Sequence, residues 1–160
     1  HNHLRSNIAC GIYFFLVKHI IEGNQSLKER LQNGVDEAVS FYQGDVNCEE
    51  LTYYARLFDL DDFATVKENS IKSSGYVVDS LEAVVWSLIT TGTVEECLLK
   101  AVNLGDDTDT VGAIAGGLAV LFYGYERVPE EWRELIVKEE ELIALCESME
   151  KRVTEGRLYG

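Results

Sequence analysis

Asn103-Leu104-Gly105-Asp106-Asp107-Thr108-Asp109-Thr110-Val111-Gly112-Ala113-Ile114-Ala115-Gly116-Gly117 holds both the local structure and the chemistry of this chain. Three carboxylates and two hydroxyls fall within residues 106–110, where a loop gives way to a Gly/Ala-rich helix. Asp107, Asp109 and Thr110 stand at i, i+2 and i+3, so their oxygens can converge on one cation from a single turn of backbone. Magnesium, calcium and manganese prefer such donors. Capping explains part of the pattern, because Asp and Thr favour helix N-termini through hydrogen bonding and the helix dipole. Three Asp in four positions repel one another, which exceeds what a cap needs. After the cluster, Val111, Ile114, Ala115, Leu118, Ala119 and Phe122 stripe a helix. Gly112, Ala113, Ala115, Gly116 and Gly117 leave little bulk there to hold a neighbouring helix or a ligand away.

Two other acidic motifs share the spelling. An EF-hand loop starting at Asp107 fits at Asp109 and Gly112, but its twelfth position should be a bidentate Glu and is Leu118. The Asp-x-Asp-x-Thr/Val motif of haloacid-dehalogenase-type phosphotransferases matches Asp107 to Val111, yet it requires a strand before it and a long α/β domain after it. Only about fifty residues follow, and they read as helix.

Working outward, Ala9, Ile12, Tyr13, Leu16, Val17, Ile20 and Ile21 form an i, i+3, i+4 stripe ended by Gly23-Asn24. Ser26 and Glu29 make a capping box for a second helix striped by Leu27, Leu31, Val35, Ala38, Val39 and Tyr42. Residues 49–59 read as a shorter helical stretch and residues 60–75 as an irregular connection. Leu81, Val84, Val85, Leu88 and Ile89, with Ala83 and Trp86, give a helix apolar nearly all round, which should be central. Thr93 and Glu96 form another capping box, ahead of Cys97, Leu98, Ala101 and Val102. Pro129 suits a helix first turn. Leu142, Leu145, Cys146, Met149 and Val153 mark the last helix, and Glu139-Glu140-Glu141 reads as its solvated start. No run alternates with period two. The expected fold class is all-α, in one domain over residues 1–160.

The 160 residues, 46% hydrophobic, can form a real core. A net charge of −14 argues against nucleic-acid and anionic-membrane partners. Cys10, Cys48, Cys97 and Cys146 contain no Cys-x-x-Cys pair, and Cys10, Cys97 and Cys146 fall in apolar helical patterns. These are expected to be buried thiols of a reducing, cytoplasmic protein. Residues 111–125 are too few and too glycine-rich to span a bilayer, and no signal peptide is visible. His19, Trp86 and Trp132 read as structural.

Residues 105–116 resemble the Gly-x-Asp-Thr-Asp-Thr-x-Gly-Ala-Ile-x-Gly signature of the ADP-ribosylglycohydrolases, the family of dinitrogenase-reductase-activating glycohydrolases and ADP-ribosyl-acceptor hydrolases. Residues 74–83, Ser74-Gly75-Tyr76-Val77-Val78-Asp79-Ser80-Leu81-Glu82-Ala83, resemble the segment that family places upstream of it. The opening from His1 into the first helix resembles the family's Thr-His segment, with the Thr absent.

That resemblance implies a compact all-α fold holding two Mg2+ ions, with Mn2+ an alternative. It implies cleavage of the glycosidic bond of an ADP-ribosylated protein or a related ADP-ribosyl compound. Asp107, Asp109 and Thr110 would be metal ligands, and Asp106 a water-bridged carboxylate near them. His1, Ser74, Gly75 and Tyr76 would border bound ADP-ribose, and Gly112, at the glycine-lined helix start, would let ligand approach the backbone. The family's N-terminal Thr-Asp-Asp motif, its early Gly-Asp segment and the accompanying glutamate are missing, so no catalytic base is named. The chain thus reads as a fragment lacking the N-terminal helices, inactive until a companion fragment completes the site. The other functional class open at this point is a non-catalytic ADP-ribose-binding or crystallin-like structural relative.

Overall fold

The computed structural model describes residues 3–44 and 48–156, the side chain of Cys48 excepted. Its helices are α1 (Leu4–Glu22), α2 (Leu27–Gln43), α3 (Cys48–Leu51), α4 (Leu60–Ala64), α5 (Val77–Ile89), α6 (Val94–Asn103), α7 (Thr108–Tyr123), α8 (Glu130–Arg133) and α9 (Glu139–Thr154). Turns of 3-10 helix lie at Thr52–Leu57, Glu68–Ser70 and Tyr125–Arg127. Among the described residues there is no strand, so the fold is all-α and offers no parallel sheet for a dehalogenase-type motif.

The apolar stripes become the core. α1 buries Ile8, Ile12, Leu16 and Ile20, one per turn, and packs on α2, α5 and α7. By length and composition α1 could cross a membrane, and 33% of its most apolar stretch is buried in this fold. α2 starts on the Ser26–Glu29 capping box and buries Leu27, Leu31, Val35 and Ala38. Where the two helices cross, a Cβ on Gly34 would lie 2.9 Å from the Phe15 carbonyl oxygen, so only glycine permits that approach. α5 is central, with every residue from Val78 to Leu88 buried except Asp79. Burying each Leu, Ile or Val of this core contributes about 1.5–3 kcal/mol.

α7 is held against α6 through its glycines. A Cβ on Gly112 would meet Val102 Cγ1 at 3.0 Å, and one on Gly116 would meet Leu98 Cδ2 at 2.9 Å. Two side chains of α6 therefore seat on the bare backbone of α7. This fixes how the acidic start of α7 is presented.

Three expectations are corrected. The stretch over residues 49–59 is one turn of α-helix followed by 3-10 helix. The buried residues Leu51, Tyr54, Leu57, Leu60 and Phe63 recur every third position, the period of a 3-10 helix and not of an α-helix. The connection over residues 60–75 contains α4, whose N-cap Asp59 accepts from the N–H groups of Asp61 and Asp62. Among the described thiols only Cys97 is buried; Cys10 and Cys146 face outward on α1 and α9.

The chain divides into two compact units, His1–Arg127 and Val128–Gly160. The helices of the second unit, α8 and α9, bury no side chain, and the apolar stripe of α9 is exposed at Leu142, Leu145, Met149 and Val153. The core and the site both belong to the first unit.

Candidate cation and ligand site

The site forms where the loop before α5 meets the loop before α7. Gly105 and Asp106 turn the chain with φ of 87° and 53°, a left-handed conformation open to glycine and tolerated by Asp. Two hydrogen bonds staple the loops together. The buried Ser73 hydroxyl donates to the Gly105 carbonyl at 2.9 Å, and the Asp107 N–H donates to the Ser73 carbonyl at 3.0 Å.

Asp107 occupies the N-cap position of α7, yet its side chain accepts no capping hydrogen bond. Its carboxyl lies instead under Gly75, where an added Cβ would come within 3.0 Å of Oδ2. It also meets the neighbouring carboxylate. Asp109 is held below the usual carboxylate range, first by a hydrogen bond from the Asp107 carboxyl, then by the N–H groups of Thr110 and of Asp109 itself. Two carboxylates in contact repel each other, and a bound cation would relieve that repulsion. Asp109 and Thr110 are exposed and Asp107 is half-buried, so the cluster opens outward.

Among the described residues no group of three or more His, Cys, Asp or Glu side chains is arranged to hold a metal. The donor set is two carboxyls and the Thr110 hydroxyl. A hard cation fits it as one wall only, because Mg2+ takes six oxygens and ordinarily keeps several waters.

Residues 74–76 close over this wall. The Ser74 hydroxyl donates to Asp79 Oδ2 at 2.6 Å and accepts from the Tyr76 N–H at 3.2 Å, so its bonds are spent on the loop itself. Tyr76 is exposed, and its hydroxyl accepts from Arg5 at 2.6 Å. Two cavities meet along the loop. One, of about 500 Å3, is mainly apolar and lies between Ala9, Tyr13, Leu81, Thr110 and Ile114. The other, of about 610 Å3, is lined by His3, Arg5, Ser6, Asn7 and Tyr76. Cys10, Gly75 and Val77 border both.

The structure thus brings Asp107, Asp109, Gly75 and the cavity-lining Thr110 to one place, with Ser74 and Tyr76 beside them. Asp106 is exposed at the turn preceding the cluster. Gly112 is buried a turn further on, where its missing side chain makes room for Val102 of α6. His1 lies outside the described residues. His3, two positions on, caps α1 by accepting the Arg5 N–H on Nδ1 at 3.2 Å.

Sequence reasoning missed Ser73, Arg5 and Glu50. Ser73 carried no signal, since a serine before a glycine reads as ordinary loop. Arg5 did carry one: it is a cation at the start of a helix, where the dipole disfavours positive charge. The Arg5 guanidinium is held above its ordinary pKa chiefly by Glu50.

The first unit is thus an all-α fold in which the turn that carries Asp107 and Asp109 also lines an apolar cavity, through Thr110. The profile of the ADP-ribosylglycohydrolases matches residues 1–158, and the chain belongs to that family. It is 38% identical over 93 residues to ADP-ribosylarginine hydrolase Tri1 of Serratia proteamaculans, covering 58% of this chain and 25% of that protein. To the ADP-ribosyl-[dinitrogen reductase] glycohydrolase of Rhodospirillum rubrum it is 31% identical over 132 residues, covering 82% of this chain and 38% of that protein. To ADP-ribosylhydrolase ARH3 of Mus musculus it is 34% identical over 67 residues, covering 42% and 18%. The matches span between 18% and 38% of these three relatives' lengths.

Proposed function

We propose that this chain supplies one wall of the divalent-cation site of an ADP-ribosyl hydrolase, acting on ADP-ribosylated protein or a related ADP-ribosyl compound. The observation that carries the reading is the contact between the Asp107 and Asp109 carboxyls at a helix start that the Asp107 side chain does not cap. Family membership narrows the substrate class, and relatives named as ADP-ribosylarginine hydrolases make an arginine-linked ADP-ribose the first to test.

Asp107, Asp109 and Thr110 would hold Mg2+, or Mn2+ in its place. When bound, such an ion polarises sugar oxygens and acidifies a water, which suits displacement at an anomeric carbon. The protein's own residues do the rest. Asp107 and Asp109 bring negative charge to where positive charge develops on the ribose. Gly75 lets the backbone of the loop approach that charge, and the Ser73 bridge keeps the two loops in register. Three donors leave a magnesium ion short of its six, so turnover requires further oxygens from substrate, water or other protein groups. No general base is assigned.

The test is calorimetry with Mg2+ and ADP-ribose, followed by an assay of ADP-ribose release from an ADP-ribosylarginine peptide by protein in which the site is complete. Asp107→Ala and Asp109→Ala should each abolish magnesium-dependent release. Unchanged turnover in either variant would overturn the assignment. Magnesium-dependent binding of ADP-ribose without release, even with the site complete, would favour the non-catalytic relative instead.

A further inference from the structure

We propose that Arg5 is a positioning residue, which fixes the Tyr76 hydroxyl and with it the loop over residues 74–76 at the mouth of the ligand cavity. Arg5 lies in the first turn of α1, distant in sequence from the acidic cluster. Its Nε donates to Glu50 Oε2 at 2.6 Å, and its Nη1 donates to the Tyr76 hydroxyl at 2.6 Å. The guanidinium carbon sits 3.4 Å from the centre of the Tyr53 ring. Its backbone is tied separately, the Tyr54 hydroxyl donating to the Arg5 carbonyl at 2.7 Å. A carboxylate, a phenol and an aromatic face are thus satisfied by one planar fork, which a lysine ammonium cannot reproduce.

The far end of the clamp needs it. Tyr76 is 41% exposed, and an exposed side chain ordinarily samples several rotamers. The bond from Arg5 selects one. On its other flank the loop is bracketed by Asp107, whose N–H is bonded to Ser73 and whose carboxyl lies under Gly75. Arg5 and Asp107 therefore hold a short segment from opposite sides. Arg5 also contributes to stability through Glu50, since their side chains are only 18% and 29% exposed, so the role of the clamp is read from Tyr76→Phe, which leaves that part-buried pair intact. The clamp itself is read from geometry; its consequence for ADP-ribose binding rests on the function proposed above.

The experiment compares Arg5→Lys, Tyr76→Phe and the double variant with the unaltered chain. Amide exchange of Tyr76 and its loop neighbours is followed without ligand, and calorimetry follows Mg2+ alone and ADP-ribose with Mg2+. Loss of the Arg5–Tyr76 bond should speed loop exchange by about tenfold in either single variant, at unchanged melting temperature in Tyr76→Phe, which keeps the Arg5–Glu50 pair. ADP-ribose affinity should fall by a similar factor, Mg2+ affinity alone should hold, and the double variant should lose no more than either single one. Unchanged loop exchange in both single variants, or additive losses in the double, would overturn the clamp. If the unaltered chain binds no ADP-ribose, the hydrolase reading falls while the exchange data still decide the role of Arg5.

Discussion

The starts of α2 and α7 are built from the same kinds of residue and put them to opposite uses. At α2 the Ser26 hydroxyl accepts from the Glu29 N–H, while Glu29 accepts from the Ser26 N–H and hydroxyl. Both side chains are spent within the box, on each other and on the backbone. At α7 the N-cap Asp107 bonds no backbone N–H with its side chain, and the nearest carboxylate, Asp109, leans against it. Both Glu29 and Asp109 titrate below their ordinary values, but for different reasons. Glu29 is stabilised by the Ser26 hydroxyl and N–H, whereas Asp109 is stabilised chiefly by a second carboxyl. A cap-type residue that does not cap, in contact with its own kind, is organised for something outside the helix.

The sharpest way to break this contrast is to neutralise each start and compare stability with cation affinity. Asp107→Asn should weaken Mg2+ binding by more than about 100-fold, since even residues one step removed from a metal typically cost 10–100-fold. The same variant should melt no lower than the unaltered chain, because it relieves a like-charge contact and removes no cap. A melting temperature that drops with unchanged Mg2+ affinity would return Asp107 to the role of an ordinary cap.

Gly75→Ala is the next largest. The new methyl would press on Asp107 Oδ2 at 3.0 Å and turn that carboxyl away from Asp109. Mg2+ affinity should fall by about tenfold, the size of a disturbance beside a metal ligand and not of a ligand's removal. Ser26→Ala should do the converse. It should lower unfolding free energy by about 1 kcal/mol, measured by urea titration, and leave Mg2+ binding untouched.

How much of this was legible in the sequence differs between the helices and the site. The stripes of α1, α2, α5 and α7 could be read because each buries one face at helical spacing, a pattern that survives without knowing the neighbour. Residues 49–59 misled because the period of three at Leu51, Tyr54 and Leu57 was read against an α-helical template. Cys10 misled because an apolar stretch shows which residues are sticky, not which side of α1 the core lies on. The cluster at Asp107 and Asp109 was legible because its chemistry is local, held within one turn of backbone. Arg5 was not, because its partners Glu50 and Tyr76 come together only when α1, α3 and the loop before α5 are packed. Gly112 was read as leaving room for a neighbouring helix or a ligand, and which neighbour meets it, Val102, only the α6–α7 pairing reveals.

The smallest expected effect tests the cause of the Glu29 shift. The folded-state value of Glu29 lies below its ordinary value of 4.5, so protonation favours the unfolded chain. Its contribution to stability is therefore complete above the unfolded value and fades as pH falls through the folded one. In Ser26→Ala both states should titrate more nearly alike, because the hydroxyl that contributes most to the shift is gone. Stability measured between about pH 6 and pH 3 should then fall less steeply in the variant than in the unaltered chain. Asp107→Asn leaves the Ser26–Glu29 box intact, so it should keep the Glu29 part of the slope. Identical slopes in Ser26→Ala and the unaltered chain would mean that Glu29 owes its low value to something other than the cap, and the two helix starts would no longer differ in kind.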